Sequence, residues 1–174
     1  MPGRFRQGTF RPIAAAVVPI ILATLALVGC GSSEEPPRSY MATPSVDDVV
    51  GFRVGLAGQV DLKTPGPLPD RDSLSRLLDA LSRSPVTEFA PESPGELVAV
   101  VLSLNDGTVL RILAGPGFPP DHALVELIRA SQGVTIRNQV SSSPLSNVVK
   151  SLARERLSAQ ARQTLDPGGR WLGE

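Results

Sequence analysis

The chain has 174 residues, seventeen basic and seventeen acidic, so it carries no net charge, and only 4% of it is aromatic. Scarce aromatics count against the stacking platforms of sugar and nucleic-acid binders. One cysteine and one histidine exclude a disulfide framework and the usual zinc ligand sets.

The first eleven residues carry Arg4, Arg6 and Arg11 and no acid, and an uncharged apolar run follows over residues 12–28. At seventeen residues the run falls short of the roughly 20 that span a bilayer comfortably. It closes on Leu27-Val28-Gly29-Cys30, the layout of a secretory signal with a small residue at the cut. These four residues resemble the lipobox of bacterial lipoproteins. The resemblance covers roughly the first 31 residues. It implies that the Cys30 thiol is alkylated with a diacylglyceryl group and that the chain is cut just before it. Two acyl chains hold a protein stably on a bilayer where one does not. The expected location is therefore the outer face of the cytoplasmic membrane, or an outer membrane if there is one. A soluble secreted domain would gain nothing from an unpaired cysteine next to the cut. With no Arg-Arg pair before the apolar run, export by the general route is expected. The motif supplies an address and an anchor, but no activity.

Beyond residues 1–29 the chain carries fourteen basic and seventeen acidic residues, net −3, with six basic against three acidic over residues 133–174. That basic end reads as a solvated helix face or as a surface resting on anionic lipid. Residues 30–45 are polar and rich in Pro and Ser, a flexible tether. A single domain is expected over residues 46–165, with a short tail over 166–174.

Val49, Val50, Phe52, Val54 and Leu56 predict a first strand that Gly51, Gly55 and Gly58 weaken or bend. Residues 59–63 are expected to continue as a short partner strand, before a proline-rich loop that excludes helix and ladder. Asp70 or Asp72 caps a helix whose stripe is Leu74, Leu77, Leu78 and Leu81, and Pro85 stops it. Residues 97–104 hold a single polar side chain, Ser103, and give the strongest β signal. Asn105-Asp106-Gly107-Thr108 follows, read as a two-residue Asp-Gly turn of type I′. That turn would place Leu104 opposite Val109, and Val101 opposite Ile112. Pro119-Pro120-Asp121 then predicts a helix with Leu124, Leu127 and Ile128 as its stripe and Gly133 at its end. Val134, Ile136 and Val140 alternate as a last strand. Ser143-Pro144 opens a final helix carrying Leu145, Val148, Val149, Leu152 and Leu157, ended by Asp166-Pro167-Gly168-Gly169.

The order predicts a small two-layer α+β domain with a mixed or antiparallel sheet, a central hairpin and about three helices. Over residues 46–160 it loosely resembles small bacterial lipoproteins of unknown role, in pattern and not through a signature motif.

Chemistry is sparse. There is no Gly-x-Ser-x-Gly elbow and no Ser-x-x-Lys, so a hydrolytic triad would have to use His122 beside Asp121. Asp47-Asp48 and the Asp70, Asp72 pair lack the ligand series of a calcium loop. Glu88, Glu92 and Glu96 flank Pro91 and Pro94 without a pocket to move their titration. No cofactor or metal is expected. Besides Cys30, the candidate interaction residue is Phe118, whose ring would sit at the rim of the sheet between glycine and proline pairs. The expectation is a lipid-anchored envelope protein with a non-enzymatic binding domain, held to the membrane by Cys30 and meeting another envelope protein, with no nucleic acid. The alternatives are an envelope hydrolase or accessory subunit using His122, and a structural or inhibitory module for another exported protein.

Overall fold

Six strands form one antiparallel sheet in the order β1-β3-β4-β5-β6-β2. A computed structural model describes residues 42–62, 65–88 and 95–173, all within one unit spanning residues 38–174. The strands are β1 (Val49–Leu56), β2 (Val86–Thr87), β3 (Val98–Leu104), β4 (Thr108–Ala114), β5 (His122–Arg129) and β6 (Val134–Ser141). Three helices accompany them: α1 (Arg71–Ser82), α2 (Ser143–Arg156) and α3 (Ala159–Leu165). The α+β class holds, and the sheet is antiparallel throughout.

Each helix starts where a side chain accepts a free backbone N–H. The Ser73 amide donates to Asp70 Oδ1 at 2.8 Å in α1, and the Leu145 amide to the Ser142 hydroxyl at 3.3 Å in α2. The stripe Leu74, Leu77, Leu78, Leu81 is buried as its spacing requires. Together with Leu145, Val149 and Leu152 it packs on Val98, Val100, Leu102, Ile112 and Val125 of the sheet. The expected final helix is two. Leu157 and Ser158 are extended, and Ser158 caps α3 by accepting from the Ala161 amide at 3.1 Å.

Two expected elements are absent and one strand is unexpected. The helix expected after Pro120 is strand β5. Leu124, Leu127 and Ile128 fit a helical stripe, but Ala123, Val125 and Leu127 alternate equally well against the helices. Between β4 and β6, cross-strand pairing over eight residues of β6 outweighs the local periodicity. Asp121 sits at φ 63°, a left-handed turn and not a helical first turn. Residues 59–62 form no strand: the amides of Gln59 and Val60 donate back to the Leu56 carbonyl in a turn. The short β2, pairing only Val86 with Val140 and Thr87 with Gln139, has no signal in the sequence. The count of three helices is thus right although one of the expected helices is a strand.

The central hairpin is also one residue out of the expected register. Ser103 opposes Val109 and Val101 opposes Arg111, because the loop is Asn105-Asp106-Gly107 and only Gly107 is left-handed, at φ 79°. This is the three-residue hairpin, a turn followed by a left-handed glycine. The Asp106 carboxylate fixes it, accepting from the Thr108 amide at 2.8 Å and from the Thr108 hydroxyl at 2.9 Å. The slip decides which side chains face the helices: Val100, Leu102, Leu110 and Ile112 do, while Ala99, Val101, Arg111 and Leu113 take the outer face.

Side chains pin the start of the domain. Ser45 and Asp48 form a reciprocal cap on a turn at Val46–Asp48, Asp47 pairs with Arg71, and Asp48 accepts from the Asn105 amide side chain at 3.2 Å. At the other end the tail is packed. Leu172 is 1% exposed, and the buried Asp166 carboxylate accepts from the amides of Trp171 and Leu172.

The Thr108 hydrogen bonds, amide first, hold the Asp106 carboxyl below its ordinary 3.8. A lowered folded value stabilises the domain above the unfolded value, and that contribution is lost as pH falls through the folded one. Asp106→Asn keeps an acceptor but not the charge. Its melting temperature should fall less steeply than wild type below about pH 4, as read by circular dichroism; an unchanged slope would contradict this.

Candidate functional site

The hairpin register and the β5 strand bring together residues that lie far apart in sequence. Arg53, Val101, Arg111, Glu126 and Arg137 are successive cross-strand partners from β1 to β6. They form one row across the outer face. The Glu126 side chain is 2% exposed. Its Oε2 accepts from Arg111 Nε at 2.6 Å and also meets the terminal nitrogen of that arginine. Its Oε1 accepts from Arg137 Nε at 2.8 Å. Two guanidinium groups on one carboxylate leave a local charge of +1. Arg111 is 22% exposed and Arg137 68%, so the inner pair carries most of the interaction and the outer one is screened by water.

Arg53, at the β1 end of the row, has no such acid. Its Nε is buried and has no hydrogen-bond partner among the described residues. The loop over residues 65–67 lies across it. Gly66 accepts from the Phe52 amide through its carbonyl at 3.2 Å. A Cβ on Gly66 would fall onto the Phe52 carbonyl oxygen and within 2.7 Å of Arg53 Cγ, so only glycine permits this approach. Beside this loop a groove of about 510 Å³ runs along the β1 edge to the corner between α2 and α3. Arg53, Gln59, Asp61, Arg156 and Ser158 supply its polar groups, with Phe52, Leu56 and Leu157 among its apolar ones.

The residues singled out from sequence fall elsewhere. Cys30, the expected signal and the expected tether through residue 41 lie outside the described residues. Phe118 is not at an open rim: it is 9% exposed and packs with Ala99, Val101 and Leu113 in a second, smaller core on the outer face. An exposed ring at that position is therefore ruled out. The sheet is hydrophobic on both faces there, and the ring fills the outer one.

His122 is half-buried at the start of β5, and its Nδ1 donates to the Pro120 carbonyl at 2.7 Å. The Asp121 carboxylate accepts from the Ser143 hydroxyl at 2.7 Å. A triad needs the acid on the histidine's Nδ1, and here a backbone carbonyl takes that place. Among the described residues no group of three or more His, Cys, Asp or Glu could hold a metal ion, and no helix is long and apolar enough to cross a membrane. Glu88 and Glu96 are exposed, and Glu92 lies outside the described residues. Three residues of the basic end are engaged inside the domain: Arg137 on Glu126, Arg154 on the Leu172 carbonyl, and Lys150 over the Trp171 ring at 5.5 Å.

No family model matches the chain, and no curated protein or solved structure matches it significantly. The fold and the site define a small antiparallel α+β domain with a cation-bearing groove at one sheet edge.

Removing one partner of a buried pair leaves a charge uncompensated. Because Arg111 and Arg137 keep some water, Glu126→Ala should cost about 2–4 kcal/mol in urea unfolding. Replacing Glu126 and Arg111 together by leucine should recover part of that loss. A Glu126→Ala chain as stable as wild type would show that the row contributes nothing.

Proposed function

We propose that this chain is a lipid-anchored envelope protein whose domain binds a ligand or partner, with the groove along β1 as its binding surface. The anchor half of the reading is supported by the Leu27-Val28-Gly29-Cys30 string after an uncharged apolar run. The binding half is carried by one observation: Arg53 and Arg156 face the groove with no acid committed to either among the described residues. Elsewhere in the domain the half-buried guanidinium of Arg111 is matched by a carboxylate. An unmatched one at a concave edge fits a site that an external group completes. Binding and not catalysis is the favoured reading because His122 and Asp121 are each turned to other partners.

Mass spectrometry of the N-terminal peptide from the membrane fraction of an expressing bacterium tests the anchor. The expected peptide begins at Cys30 carrying a diacylglyceryl group, and a Cys30→Ala chain should lose the modification and the cut. An unmodified Cys30, or an intact Met1 terminus, would overturn the anchor.

A further inference from the structure

The geometry points to a ligand class for the groove: a small organic oxyanion, a carboxylate or a phosphate monoester, carried on a compact apolar body. The inference deepens the binding reading above and rests on it. Three features select this chemistry. The first is charge. Among the described residues Arg53 and Arg156 line the groove against one acid, Asp61, a balance of one positive charge. Guanidinium forks match the planar or tetrahedral oxygens of carboxylate and phosphate better than any neutral group.

The second is the state of Arg53. Its Nε is buried and unpaired among the described residues, whereas the Nε groups of Arg111 and Arg137 both donate to Glu126 across strands. A buried donor without an acceptor is costly to keep, and an oxyanion entering the groove supplies that acceptor. Gly66 makes the arrangement permanent, because its missing Cβ lets the loop wall close over the Arg53 stem while the groove beside it stays open.

The third is size and lining. About 510 Å³ lies within the range of small-molecule sites, roughly 300–1,000 Å³. Leu56, Val60, Leu157 and Ala161 give the body of such a ligand an apolar wall, and Gln59 and Ser158 flank the head group. Arg156 stands in the last turn of α2. There its charge offsets the negative end of the helix dipole, which would otherwise repel an anion.

Calorimetric titration of the full chain in detergent micelles, with empty micelles subtracted, tests this with four probes: benzoate, phenyl phosphate, acetate and inorganic phosphate. Benzoate or phenyl phosphate is expected to bind saturably at one site, and more tightly than acetate or inorganic phosphate by about fivefold or more, since the ring reaches the apolar wall. Whichever of the two binds tighter identifies the head group. Arg156→Gln changes an exposed side chain and should weaken binding about tenfold with an unaltered melting temperature. Arg53→Lys keeps the charge, removes the Nε donor and should weaken it similarly. Absence of saturable binding by either aromatic probe, or wild-type affinity in both variants, would overturn the inference. The titration is independent of lipidation: a chain with unmodified Cys30 that still binds benzoate would sink the anchor alone, and a lipidated chain that binds none would sink the groove alone.

Discussion

A carboxylate buried on the face of a sheet is the constraint around which the outer half of this domain is arranged. Glu126 is 2% exposed, and an ion so placed is tolerable only with partners at hydrogen-bonding distance. Arg111 and Arg137 provide them from the strands on either side. A slip of one residue in β4 or β6 would turn that arginine toward the helices and strand the acid. The register of three strands is therefore held from outside by charge, as it is held from inside by Leu110, Ile112 and Val125 against the helix stripes. The two faces specify the same pairing, and such agreement between independent terms is what gives a sequence a single structure.

The same row explains why the β1 edge differs from the rest of the sheet. Glu126 is flanked on both sides, and each of its two arginines commits its Nε to the carboxylate. Val101 then separates this cluster from Arg53, whose Nε has no acceptor among the described residues. The loop carrying Gly66 and the corner at Leu157 and Ser158 turn that isolated guanidinium into one wall of a groove. Binding at the edge strand, as proposed, would leave the meander of β3 to β6 undisturbed, so recognition need not cost stability in the core.

Much of the fold was legible because its signals are local. The leucine stripe of α1, its Asp70 cap, the apolar run of β3 and the glycine of the hairpin each act within a few residues, and each is where the sequence placed it. The misreading of β5 has a physical origin: Leu124, Leu127 and Ile128 satisfy the helical period and the alternate one leaves apolar residues on both faces, as a central strand requires. Two-residue β2 depends wholly on β6 and has no local signal. The hairpin register turned on whether Asp106 or only Gly107 takes a left-handed conformation, and the Thr108 hydrogen bonds settle that. The candidate site was the least legible part. Glu126 was hidden inside the misassigned helix, and Arg53, Arg111 and Arg137 acquire meaning only once four strand pairings are known. Had the residues after Pro120 been read as a strand, an Arg, Glu, Arg alignment across the meander would have been the signal to look for.

On the proposed reading the arginines of the outer face divide into a pair paired with Glu126 and one left for a ligand. Arginine-labelled nuclear magnetic resonance of the full chain in micelles reads this directly through the Nε–H signals. The expected result is slow hydrogen exchange at Arg111 and no response of the Arg111 or Arg137 Nε–H to saturating benzoate or phenyl phosphate, while the Arg53 signal shifts. A benzoate response centred on Arg111 and Arg137, or an Arg53 signal already as protected as Arg111 and indifferent to both anions, would contradict it.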